Sequence, residues 1–96
     1  MPILVIFRAE GDPDDLLARY DQTLPAATAN STVRPQVHIC ARTDSGVALV
    51  DMWKNREALR QGVIENEEFQ KKWREAGWPD EVVEIYEIHN QGWPTS

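Results

Sequence analysis

Apolar residues come in short bursts along this chain, and their spacing alternates between the period of a strand and that of a helix. Ile3–Glu10 (ILVIFRAE) is a β-rich run stopped by Gly11, which predicts a first strand. Asp12-Pro13-Asp14-Asp15 then reads as a helix start: an N-cap, a proline at the first helical position and acids at the positive end of the dipole. Leu16, Leu17, Tyr20 and Leu24 follow at helical spacing, and Pro25 is expected to end this helix near Leu24. QVHICART and GVALVDMW are strands around Thr43-Asp44-Ser45-Gly46. Asn55–Gly77 is helical with a break near Gly62–Asn66, where Asn66 can cap a second piece that Gly77 ends. Glu81–His89 is a last strand, and Asn90–Ser96 is irregular.

The order β-α-β-β-α-β predicts an α+β, ferredoxin-like fold over one domain spanning residues 1–96, with helices covering one face of a four-stranded antiparallel sheet. Right-handed crossovers place the first and third strands at the centre and the second and fourth at the edges. If Thr43 faces Gly46, the hairpin pairs Arg42 with Val47, Cys40 with Leu49, His38 with Asp51 and Gln36 with Trp53 on one face. The opposite face carries Val37 with Met52, Ile39 with Val50 and Ala41 with Ala48. That second face is wholly apolar and is expected to lie under the helices. The first face would then border a half-wet cavity between two sheets, because His38 and Asp51 are costly to bury without partners. Gly46–Trp53 and Glu81–His89 carry apolar residues on both faces, and helices cover only one. A homodimer is therefore expected.

The formal net charge of −6 argues against nucleic acid or an anionic membrane as partner, because both reward basic patches. The one cysteine, Cys40, allows no internal disulfide, which fits a reducing cytoplasm. No apolar run approaches the length of a membrane span, and the ILVIF run lacks the flanks of a signal peptide. Two histidines without carboxylate spacing do not suggest a metal site, and no cofactor motif is present.

The stretches VDMWKNREALRQGVIENEEFQKKWREAG and EVVEIYEIH resemble the dimeric α/β-barrel superfamily, and most closely its antibiotic-biosynthesis-monooxygenase-like branch. The pattern is an acidic-x-Trp at the end of the third strand, a polar residue, and a helix with an EAL motif: here Asp51, Trp53, Asn55 and Glu57-Ala58-Leu59. The resemblance implies a homodimer whose sheets meet face to face, with one pocket per subunit between sheet and helices. Cofactor-free quinone-forming and haem-degrading members use an asparagine on the first strand and a tryptophan on the third. Trp53 matches the tryptophan, but ILVIFRAE holds no asparagine, and the second helix lacks the histidine of haem-degrading members.

Candidate chemistry centres on His38 and Asp51. They read either as an acid–base dyad, the carboxylate orienting the imidazole and strengthening it as a base, or as a polar cross-strand pair that satisfies itself. Trp53 either stacks on a flat ligand or closes the core. Cys40 and Leu49 flank the pair, and Tyr86 joins the site if its strand face points inward. Arg8 and Arg42 read as surface ion pairs before they read as ligand anchors. The resulting expectation is a homodimer that binds a small aromatic or polyketide-like molecule. Its activity would be that of a cofactor-independent monooxygenase or isomerase; the alternative is a non-catalytic ligand-binding or stress-associated barrel.

Overall fold

A computed structural model describes residues 1–93 of the chain. Its elements are β1 (Ile3–Glu10), α1 (Pro13–Thr28), β2 (Val37–Arg42), β3 (Gly46–Trp53), α2 (Arg56–Leu59), a π-helical turn (Arg60–Ile64), α3 (Glu67–Glu75) and β4 (Glu81–Glu87). The strands form one antiparallel sheet in the order β2-β3-β1-β4, with β1 and β3 central as the crossover rule requires. No helix of the described residues is long and apolar enough to cross a membrane.

The caps at Asp12 and Asn66 form where the sequence places them, and Asn55 supplies a third. Asp12 accepts from the Asp14 N–H, Asn55 from the Ala58 N–H and Asn66 from the Phe69 N–H, so each helix gains a partner for an orphan donor. Helix α1, however, runs through Pro25 to Thr28 rather than ending near Leu24. Pro25 and Asp21, whose carbonyl loses its donor, are both exposed, so water can take the place of the missing N–H. The inward residues Thr23 and Ala27 keep the last turn packed.

The hairpin register is the expected one: Thr43 N–H donates to the Gly46 carbonyl, and His38 pairs with Asp51, Cys40 with Leu49 and Arg42 with Val47. The coverage of the faces is the reverse of the expectation. Strand β1 brings Ile3, Val5, Phe7 and Ala9 beside Trp53, Asp51, Leu49 and Val47, and all eight side chains are buried, whereas the small Ala48 is the one buried side chain of the other face. The helices therefore cover the His38/Asp51 face. The opposite face, with Val37, Ile39, Val82 and Tyr86, is open. The physical reason lies in β1 and β4. Their outward rows hold Arg8 and Glu84, which form an ion pair at 2.7 Å that cannot sit under an apolar helix without a desolvation cost.

The π-helical turn brings the chain close to the core. A Cβ on Gly62 would lie 2.6 Å from Trp53 Cη2 and 3.0 Å from the Val33 carbonyl oxygen, so only glycine lets the turn lie on the indole.

Candidate functional site

On its covered side the sheet presents side chains in rows, because directly paired residues share a face. One row runs His38, Asp51, Val5, Ile85; the next Cys40, Leu49, Phe7, Val83; the third Arg42, Val47, Ala9, Glu81. Above them, α1, the π-helical turn, α3 and the segment before β4 enclose a cavity of about 600 Å³. Its walls are largely aromatic and aliphatic, among them Phe7, Leu24, Leu49, Phe69, Trp73 and Trp78. The polar wall groups include His38, Asp51 and Glu81. The cavity thus lies between sheet and helices, not between two sheets.

Asp51 is 5% exposed, and both of its oxygens are engaged. His38 Nδ1 lies 2.5 Å from Oδ1, and Trp53 Nε1–H donates to Oδ2 at 3.2 Å. The second imidazole nitrogen, His38 Nε2, meets the Tyr20 hydroxyl at 2.5 Å, with the two rings within 11° of parallel. One tautomer satisfies the whole series: Nδ1–H donates to the carboxylate, and Nε2 accepts from the Tyr20 O–H. Burial is the main cause that pushes the Tyr20 phenol up to about 12, and the charges available to Cys40, Asp51 and Asp21 add to it. Tyr20 is therefore a proton donor throughout the neutral range.

The residues singled out in the sequence separate into distinct positions. His38, Asp51 and Leu49 line the cavity. Trp53 is 1% exposed and lies behind Asp51, in the core rather than in the cavity wall. Cys40 packs at the edge of the core, and burial followed by the Asp21 charge pushes its thiol up, which leaves it a poor nucleophile. Tyr86 lies on the open face, where its hydroxyl donates to Glu84, so it does not reach the cavity. Arg8 pairs with Glu84 and Arg42 with Asp14 at exposed positions. Among the described residues, no group of three or more His, Cys, Asp or Glu is placed to hold a metal ion.

Two features escape sequence reading. Tyr20 counts there only as an apolar helical position; its signal is that a tyrosine on a core-facing stripe needs a partner for its hydroxyl. Glu81 opens β4 and looks like a solvent acid, yet it faces the cavity, where Trp78 Nε1–H donates to its Oε2 at 3.0 Å. Burial, the largest effect, pushes its carboxyl up; the Trp78 hydrogen bond opposes this and the Asp51 charge adds to it.

That shift has a consequence for stability. A carboxyl raised above its ordinary value of 4.5 favours folding below that value, and the contribution is lost as pH rises through the raised value. Glu81→Gln removes the penalty of charging the group in the fold. The variant should melt higher than the wild type at pH 7, and the difference should shrink toward zero below about pH 4.5. Melting curves of both proteins from pH 4 to 8 check this; a difference independent of pH would contradict it.

No family model matches the chain, and no curated protein matches it significantly. Solved structures do. Rv0793 from Mycobacterium tuberculosis superposes with a TM-score of 0.70 at 17% identity, over 97% of this chain and 100% of that one. SnoaB, a cofactor-independent oxygenase from Streptomyces nogalater, superposes with a TM-score of 0.64 at 14% identity, over 94% of this chain and 93% of that one. At such identities the likeness concerns the fold. The chain shares the ferredoxin-like α+β fold of these two proteins.

Proposed function

We propose that this single-domain protein takes a flat aromatic or polyketide-like molecule into the cavity and removes a proton from its acidic phenol or enol without a cofactor. The observation that carries this reading is the hydrogen-bonded series Tyr20–His38–Asp51–Trp53, whose two central members, His38 and Asp51, line an aromatic cavity. His38 is the base. Asp51 holds its tautomer and stabilises the imidazolium that forms, and Trp53 fixes the carboxylate from behind. Tyr20 occupies Nε2, so it must yield that contact or relay the proton through its own hydroxyl. In either case the proton ends on His38. Leu49 is part of the apolar floor, Cys40 packs beside it, and Tyr86 has no part in the chemistry. Reaction of the resulting anion with dioxygen is an oxygenation, the class of activity that SnoaB's description names; return of the proton to another carbon is an isomerisation.

The occupied Nε2 also favours the non-catalytic reading, in which the same residues only shape a ligand cleft. A dihydroxyanthrone separates the two, because it is flat and acidic and reacts with dioxygen. Wild type should bind it saturably and consume oxygen faster than the protein-free background. His38→Ala should lower that rate by about 100-fold or more, and Tyr20→Phe should lower it without abolishing binding. Saturable binding with no turnover would support the cleft, and no saturable binding would overturn both readings.

The open face supports a second copy of the chain as partner. Val37, Ile39, Val82 and Tyr86 are 43%, 50%, 66% and 51% exposed there, a large apolar area for a chain of this size. The dimeric α/β-barrel resemblance implies two such sheets meeting face to face, and the network around Asp51 lies on the other side. The reduced Cys40 fits a cytoplasmic location. Sedimentation at micromolar concentration should give twice the chain mass, and Ile39→Asp should give the monomer. A monomeric wild type would contradict the pairing.

A further inference from the structure

The C-terminal end of α3 does more than stop a helix. Gly77 adopts φ +72°, its N–H donates to the Arg74 carbonyl, and the Trp78 N–H donates to the Trp73 carbonyl. These are the two bonds of a Schellman turn, with its usual apolar contact supplied by the Trp73 and Trp78 rings, 4.8 Å apart and edge to face. Arg19 on α1 ties the turn down by donating to the Ala76 and Gly77 carbonyls at 3.2 and 3.0 Å. The turn thereby fixes the Trp78 indole in the cavity wall, and the indole holds Oε2 of Glu81. Oε1 of Glu81 makes no protein hydrogen bond among the described residues.

Glu81 and His38 occupy opposite corners of the cavity floor. They lie on the two edge strands, β4 and β2, and two rows apart. The row between them is apolar where it lines the cavity, with Leu49, Phe7 and Val83. Three strand spacings of about 4.8 Å and four residues of about 3.4 Å separate the two backbones, and both side chains reach inward. The two corners are therefore about 20 Å apart at the backbone, along the diagonal, and a flat fused-ring molecule lying between them would direct one polar group toward each.

We propose that Glu81, held by Trp78, sets the ligand class of this cavity: it selects a flat aromatic with a hydroxyl or amino group at the end remote from His38, and it rejects a carboxylate there. The inference rests on the cavity being the ligand site. Glu81 is not a catalytic residue; it is a specificity-determining one. An ionised carboxylate only accepts hydrogen bonds, and a protonated one still presents an acceptor, so a donor on the ligand is matched in either state. A ligand carboxylate meets Glu81 with Asp51 and Asp80 also in the wall, and the one Lys or Arg side chain lining the cavity among the described residues is the exposed Arg74.

Three naphthalenes test this by calorimetry at pH 7: 2-naphthol, 2,6-dihydroxynaphthalene and 6-hydroxy-2-naphthoate. Wild type should bind the diol about tenfold more tightly than 2-naphthol, and the naphthoate most weakly. Glu81→Gln, which keeps an acceptor and adds a donor, should bring the naphthoate to within about threefold of the diol. Glu81→Leu should reduce the diol to the affinity of 2-naphthol. Equal affinities in wild type, or ratios unchanged by Glu81→Gln, would overturn the role of Glu81 while leaving the cavity as the ligand site. A naphthoate that binds best and loses its affinity in Arg74→Ala would also overturn it. Failure of all three compounds to bind wild type would remove the ligand site, and with it this proposal.

Discussion

The placement of one carboxylate constrains the rest of this structure. Asp51 points from a central strand into the layer between sheet and helices, where it is 5% exposed. A buried carboxylate is tolerated only when hydrogen-bonded donors replace water. The fold supplies one donor from each side: the imidazole of His38 from the edge strand β2 and the indole of Trp53 from two residues along β3. Each donor then meets the helical layer. Trp53 needs space under the following helix, which Gly62 in the π-helical turn provides. His38, exposed at the sheet edge, sets its second nitrogen against the Tyr20 hydroxyl of α1. A slip of one residue in the β2–β3 register would send these partners to opposite faces, so the network also fixes the hairpin.

The cavity follows from the same layering. The aromatic side chains of α3 and of the turn after it stand over the sheet, and the rows beneath are apolar, where they line the cavity, except at two places. One is the His38–Asp51 pair, and the other is Glu81 with Trp78. In the proposed function, rings hold the ligand in this space and its polar ends orient it, an arrangement common to small-molecule sites in which a few fixed polar groups sit in an apolar hollow. The open face of the sheet shares none of this chemistry. Its one polar cluster, Arg8 with Glu84 and Tyr86, is satisfied within itself.

The sequence made local structure legible because local rules decide it. The caps at Asp12 and Asn66 and the stop at Gly77 depend on residues within a few positions of each other, and the pairing of His38 with Asp51 follows from the short turn between their strands. The covered face is not legible in the hairpin alone, since the cost of burying Asp51 with His38 is met by Trp53 and Tyr20 through contacts the strand pattern does not show. The deciding signal was in β1 and β4, where Arg8 and Glu84 mark the outward side. Pro25 misled for a related reason: it breaks a helix only where the freed carbonyl has no other partner, and here the site is exposed. Tyr20 and Glu81 join the site through contacts 18 residues away in sequence in the first case and through a cavity wall in the second. No local pattern encodes either.

The account depends most on the proton arrangement of His38, and the ring nitrogens can be observed directly. In a long-range proton–nitrogen correlation spectrum at about pH 8, above the ordinary range of histidine titration, the two histidines should differ. His89 is exposed and should average between tautomers. His38 should appear as a single tautomer with its proton on Nδ1 and with Nε2 unprotonated, and Tyr20→Phe should shift Nε2 alone. A His38 that carries its proton on Nε2, or that averages as His89 does, would contradict the Tyr20–His38–Asp51 series on which the proposed chemistry stands.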